Sequence, residues 1–195
     1  REPASTGHAG RPPGDGRGAR PHRAPQLMRP RRPPIGARAR RVRMVLLDVD
    51  GVLTDGGLYY TAEGHELKRF HAHDGYGIQR GRDAGLSFGI ISGRSTPIVD
   101  ARARVLRIEE VIQGAEDKLA AMRDIQRRRG LGDDEFAFIG DDLFDLPLLR
   151  TVGLSAAPPN ALKEVLAAVH YVTRVPGGQG AVRDFVDCIL AHRRV

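Results

Sequence analysis

The chain has 195 residues, a length that fits one ordinary globular domain with an appendage rather than two full domains. Hydrophobic residues make up 41%, enough to build a core, whereas aromatics are 5% with no Trp, which argues against aromatic platforms for stacking nucleic-acid bases. The formal net charge of +7 would suggest an anionic partner if it covered a folded face, but residues 1–43 hold 12 Arg against two acids, Glu2 and Asp15, so this segment carries +10 and the remainder −3.

Eight of the 13 prolines fall in the same segment, together with almost no periodic apolar residues. Such a composition cannot bury enough surface to offset the entropy of ordering, so residues 1–41 read as a disordered Arg/Pro-rich extension. It has no continuous apolar region of a secretory signal and too many prolines for an amphipathic transit helix, and it reads as a solvated extension or an over-long start to the reading frame. No apolar run approaches the ~20 residues needed to span a bilayer, so no membrane partner is expected. The single Cys188 has no internal disulfide partner and suits a reducing cytoplasm.

From Val42 onward, short apolar runs alternate with helix-like stretches, the pattern of a parallel sheet with crossover helices. Residues 42–47 form a continuous apolar strand that calls for cover on both faces and leaves Asp48 at its carboxyl end. Two short β-prone runs then flank Ala62, Glu63 and Gly64, predicting a protruding β-hairpin with Gly64 in the turn. A helix follows over about residues 75–84, then a second core strand in LSFGIIS ending at Ser92, and a helix over 95–106. A strand around Val111, a helix over 117–129, a strand over 136–139 and a helix over 143–149 continue the alternation. A strand over 154–156, a helix after Asn160, a strand over 171–173 and a helix after Gly180 complete a doubly wound α/β domain, in which ligands bind at the carboxyl ends of the strands.

The polar motifs fall at those ends. DVDGVLTDG sets Asp48 and Asp50 two residues apart where the first strand meets a glycine-containing loop, and GDDLFD, residues 140–145, follows another apolar strand. Asp and Gly after a strand are ordinary turn formers, but a turn does not explain two acidic clusters that converge in space. Asp48 with Asp141, aided by Asp142 or Asp145, makes an all-oxygen site suited to Mg²⁺. Ser92 in ISGRS and Lys118 in EDKLA supply donors for phosphoryl oxygens. Taken singly, Ser92 reads as a helix cap and Lys118 as a surface cation in an awkward place at a helix start.

Asp-x-Asp-Gly after the first strand, Ser after a second, then Lys and a Gly-Asp-Asp cluster is an order that resembles the haloacid dehalogenase phosphatases, from about Val42 to the end. The resemblance implies a Rossmann-like domain with Asp48 as nucleophile, Asp50 as general acid and base, and Ser92 and Lys118 binding phosphate. Mg²⁺ would be held by Asp48, the Asp50 main-chain carbonyl and Asp141. The strings KRFHAHDGYGI, IISGRST, QGAEDKL and GGQGAVRD narrow it to the 3-deoxy-D-manno-octulosonate 8-phosphate (KDO 8-phosphate) phosphatases, which lack a large cap domain. That family implies a sugar-acid phosphate substrate from lipopolysaccharide precursor synthesis and a homotetramer built around the hairpins. It also implies substrate contacts from Gly93, Arg94, Asp74, Gly75 and Arg183, with the GGQGAVR segment reaching a neighbouring subunit's site. Without the resemblance, Asp74 reads as a helix N-cap and Arg183 as a solvated arginine. Phe144 and the Pro158-Pro159-Asn160 run depart from the family's usual pattern and bear on substrate fit.

Three rival readings use the same residues. A phosphatase for a nine-carbon sialic-acid-like sugar phosphate would share the mechanism. A phosphorylated receiver domain also combines acids, a hydroxyl and a lysine, but its acceptor follows a middle strand, where this chain has Ser92. A nucleic-acid binder led by the Arg-rich segment would leave the intact acid, hydroxyl and lysine set without a purpose, so no nucleic-acid partner is expected.

Overall fold

The computed structural model describes residues 34–193, and the expected disorder of residues 1–33 lies outside the described residues. Six parallel strands form the central sheet: β1 (Met44–Leu47), β4 (Ser87–Ile91), β5 (Glu110–Ile112), β6 (Phe136–Ile139), β7 (Leu154–Ala157) and β8 (Tyr171–Val172). Their order is β5-β4-β1-β6-β7-β8. The chain therefore winds outward from β1 to one edge, then returns to β6 on the other side of β1, and the switch point lies at the carboxyl end of β1.

Alternation along β1 explains why that strand is apolar throughout. Val45 and Leu47 face one core, which includes Ile78, Val99, Phe185 and Ile189 from the helices α2 (Ala72–Asp83), α3 (Pro97–Leu106) and α7 (Ala181–Arg193). Met44 and Leu46 face the other, with Met122 and Ile125 of α4 (Lys118–Arg129), Leu148 and Leu149 of α5 (Leu146–Thr151), and Val165 of α6 (Lys163–Leu166). Each such fully buried side chain contributes about 1.5–3 kcal/mol relative to exposure. Among the described residues, no helix is long and apolar enough to cross a membrane.

The predicted hairpin is present as β2 (Tyr59–Tyr60) and β3 (Glu66–Leu67), paired antiparallel, with Gly64 at a positive φ of 85°. It inserts between β1 and α2 and carries exposed Leu58, Tyr60 and Leu67.

The domain does not begin at Val42. A helix, α1 (Ile35–Arg41), precedes it, with Ala39 fully buried and packed with the α7 side of the core. The arginines that read as solvated are partly used by the fold: Arg38 donates to the Gly153 carbonyl at 2.6 Å, and Arg41 pairs with Asp134. A long Arg side chain can line a folded surface with its stem while its head finds an acceptor, so Arg-rich composition alone misplaced this boundary.

Candidate active site

The carboxyl end of β1 is extended by one ladder bond, from Asp48 N–H to the Ile139 carbonyl at 3.1 Å. This seats Asp48 beside the turn that follows β6. Asp48 is buried, and its Oδ1 lies 2.9 Å from Lys118 Nζ. Lys118 is the first residue of α4, capped by Asp117, whose side chain accepts from the Ala120 N–H. A cation at a helix start is unfavourable alone, and here two carboxylates offset it: Lys118 Nζ also lies 2.6 Å from Asp145 Oδ1. Burial opposes the Lys118 charge, yet Asp48 and Asp145 hold its pKa above the ordinary value.

The GDDLFD motif divides its labour. Asp145 is fully buried, and its Oδ2 accepts the backbone N–H groups of Asp141 at 2.8 Å and Asp142 at 3.1 Å. The short 3₁₀ turn Leu143–Asp145 is thereby fixed and Asp141 is aimed inward. Asp142 is exposed and caps that turn through the Leu143 N–H. Carboxylate oxygens of Asp48, Asp141 and Asp145 all come within 4.8 Å of one another. Of Asp142 and Asp145, it is Asp145 that shares this cluster, and both its oxygens already accept hydrogen bonds, from Lys118 and from the Asp141 and Asp142 N–H groups.

Burial, reinforced by the neighbouring Asp145 carboxylate, pushes Asp48 up to about 6 despite Lys118. Burial and the Asp48 and Asp145 charges push Asp141 up to about 7. Such a cluster resists full ionisation without more positive charge than one lysine provides. Its all-oxygen, carboxylate-rich donor set suits a hard divalent cation that would remove that cost. Close packing over the cluster is enforced by Gly51, at φ 82°, where a Cβ would stand 2.0 Å from Asp141 Oδ2.

A cavity of about 500 Å³ opens over these groups, with Asp50, Ser92, Gly93, Arg94 and Phe144 among its lining. Asp50, on the turn after Asp48, pairs with the buried Lys68 at the end of the hairpin. Ser92 directly follows β4: its N–H donates to the Ile112 carbonyl at 2.9 Å and its Oγ accepts from the Arg94 N–H at 3.3 Å. It is not a helix cap, since Thr96 caps α3. Arg94 donates to Glu66 at 2.9 Å.

The structure does not bring Asp74, Gly75 and Arg183 to this cavity. Asp74 is buried where α2 meets α7 and accepts from the Arg183 N–H at 2.9 Å, and the cap of α2 is His71 instead. Gly75 faces α3, where a Cβ would meet Arg102 and Leu106 at 3.0 Å. The Arg183 side chain binds Asp187 at 2.6 Å and lies over the Tyr76 ring. The GGQG segment is seated on its own chain's loop after β1: Gly178 N–H donates to the Val52 carbonyl at 3.1 Å. Asn160 completes the tie, donating to the Gly51 carbonyl at 3.1 Å and accepting from the Gly177 N–H at 2.8 Å. Lys68 opens the KRFHAHDGYGI string and Asn160 closes the Pro158-Pro159-Asn160 run, but the partners that define them, Asp50 and Gly51, are brought near only by the fold.

An aspartate pair after the first strand, with a hydroxyl, a lysine and a second acidic turn gathered at the switch point of a doubly wound sheet, defines a haloacid dehalogenase-like hydrolase. A family model of that description matches residues 106–183. The chain is 40% identical over 154 residues to the 3-deoxy-D-manno-octulosonate 8-phosphate phosphatase KdsC of Escherichia coli (strain K12), covering 79% of this chain and 82% of that protein. It is 42% identical over 153 residues to KdsC of Yersinia pestis, covering 78% and 82%. Among solved structures, the KDO 8-phosphate phosphatase of Moraxella catarrhalis, in complex with magnesium ion, phosphate ion and KDO, superimposes with a TM-score of 0.80 at 39% identity, covering 82% of this chain and 91% of that one. The Yersinia pestis enzyme does so with a TM-score of 0.80 at 40% identity, covering 82% and 86%. The chain belongs to the family of 3-deoxy-D-manno-octulosonate 8-phosphate phosphatases.

Proposed function

We propose that this protein hydrolyses 3-deoxy-D-manno-octulosonate 8-phosphate to the free sugar acid and phosphate, in the supply of lipopolysaccharide precursors. The observation that carries the reading is the buried Asp48–Lys118–Asp145 cluster beneath a cavity entered by Asp50, in a chain of this family. An Asp48 oxygen attacks phosphorus as the bond to the sugar oxygen breaks, forming an aspartyl phosphate. The departing oxygen takes a proton from the Asp50 carboxyl. Asp50, now a carboxylate, takes a proton from the water that attacks the same phosphorus and releases phosphate and Asp48. Lys118 and Ser92 donate to the phosphoryl oxygens, with Gly93 and Arg94 toward the sugar acid.

Asp48, Asp141 and the Asp50 main-chain carbonyl are the groups that would hold Mg²⁺, with Asp145 orienting Asp141. When bound, the ion neutralises charge on the phosphoryl group so that a carboxylate can approach it.

A homotetramer joined through the hairpins is supported by the exposed Leu58, Tyr60 and Leu67 on that hairpin. In such an assembly, Arg183, at the end of the GGQGAVR segment, would stand toward a neighbouring subunit's site. A cytoplasmic location is supported by the single Cys188.

Phosphate release from a panel of eight- and nine-carbon sugar-acid phosphates, with Mg²⁺ and with a chelator, tests the reading. Metal-dependent preference for the eight-carbon substrate is expected. Preference for the nine-carbon compound would keep the mechanism and change the substrate, and no metal-dependent release from any member would overturn both.

A further inference from the structure

Lys68 opens the KRFHAHDGYGI string and has no role assigned above, yet its side chain is 1% exposed and ends at Asp50. It leaves the hairpin directly after β3, whereas Asp50 sits on the turn after β1, so the contact joins two separate elements. The ammonium pairs with Asp50 Oδ1 and lies 3.4 Å from Glu66 Oε1. Glu66 in turn accepts from Arg94 Nη2 at 2.9 Å, and Arg94 reaches the Tyr60 hydroxyl at 3.4 Å. Carboxylate and cation thus alternate from Asp50 through Lys68 and Glu66 to Arg94, two of them lining the cavity and two belonging to the hairpin.

A buried ammonium is tolerated when paired, and the pair fixes both partners in place. Asp48 has its own cation in Lys118, and Asp50 has Lys68. Two carboxylates only two residues apart are thereby drawn to different cations instead of competing for one. Because the Lys68 bond is made to Oδ1, the second carboxyl oxygen is the one available to the leaving group and to water.

We infer that Lys68 is a positioning residue for the phosphoryl-transfer reaction: it holds the Asp50 carboxyl at the leaving-group side of the cavity, with Glu66 fixing the lysine. This rests on the assignment of Asp50 as acid and base. Misplacing a proton donor by about 1 Å can cost on the order of 10²-fold in rate. The loss falls on steps that need the proton. A sugar alkoxide leaves poorly without one, whereas nitrophenolate leaves unaided.

The test is rapid-quench and stopped-flow kinetics of the full chain with Mg²⁺, comparing the first turnover of 3-deoxy-D-manno-octulosonate 8-phosphate with the nitrophenolate burst from p-nitrophenyl phosphate. Lys68→Met is expected to slow cleavage of the sugar phosphate by roughly 10²-fold while the aryl burst falls far less. Glu66→Gln should move the same way by a smaller factor, and Lys68→Arg should recover part of the loss. The aryl burst also reports a folded site, so a folding failure would not pass as support. Asp50→Asn separates the two layers of the claim. If it discriminates between the substrates and Lys68→Met slows both equally or neither, the positioning role is overturned and the acid role stands. If Asp50→Asn itself does not discriminate, the acid role fails and the Lys68 proposal fails with it.

Discussion

Lys118 Nζ stands 2.6 Å from Asp145 Oδ1, with Asp145 fully buried and the lysine nearly so. The same nitrogen holds Asp48 at 2.9 Å. One cation therefore links Asp48, the proposed nucleophile, to the carboxylate that shapes the second acidic turn. Replacing Lys118 with Met should remove the compensation of both carboxylates, destabilising the fold by about 3 kcal/mol and cutting kcat by about 10²–10³-fold. Urea unfolding and steady-state turnover check the two numbers. Wild-type values in both would show that Lys118 supports neither the fold nor turnover.

Gly51 controls the placement of Asp141. A methyl group at that position would enter the space of the Asp141 carboxylate, and the backbone there has φ of 82°. Gly51→Ala should therefore displace Asp141, weaken metal binding and lower kcat by roughly 10²-fold, with a stability loss of about 1–3 kcal/mol. Calorimetric titration with Mg²⁺ reads the first effect directly; unchanged metal affinity would show that Asp141 is not held by this approach.

Asp184, far from the Asp48 cluster, is held as a carboxylate by Arg174 and Tyr171. Burial opposes its ionisation, but the Arg174 side chain and backbone N–H and the Tyr171 hydroxyl hold its pKa below the ordinary value. Those bonds measure 2.6 Å from Arg174 Nε, 2.9 Å from Arg174 N and 2.8 Å from Tyr171. A lowered folded-state value means the contribution is complete above the unfolded carboxyl's value, near ~4, and is lost as pH falls through the lower folded value. Asp184→Asn should cost about 1–2 kcal/mol at neutral pH, and the difference should shrink below pH ~4. Urea titrations across that range decide it, and a gap independent of pH would contradict the assignment.

The strands were legible because a parallel sheet covered on both faces demands continuous apolar runs, as in Met44–Leu47 and Phe136–Ile139, and each run ended where a motif began. Asp48, Asp141 and Lys118 could be singled out because they stand at strand ends and a helix start, the places that the fold brings together. The helix Ile35–Arg41 was hidden by composition, since what orders it is packing against α7 and acceptors such as the Gly153 carbonyl. Lys68 and Asn160 were hidden for a related reason. Their meaning comes from partners 18 and 109 residues away, Asp50 and Gly51, a pairing created by the fold and not by local spacing. The division between Asp142 and Asp145 depended on which carboxylate turned inward, set by two backbone N–H groups that no residue pattern displays.

The most direct test of the account is to quench the Mg²⁺-loaded enzyme during turnover of 3-deoxy-D-manno-octulosonate 8-phosphate and locate the phosphoryl group by peptide mass spectrometry. The account predicts one acid-stable, hydroxylamine-sensitive phosphoryl group on Asp48, absent from well-folded Asp48→Asn, which should release no phosphate. A phosphoryl group on another residue, or ordinary turnover by Asp48→Asn, would contradict it.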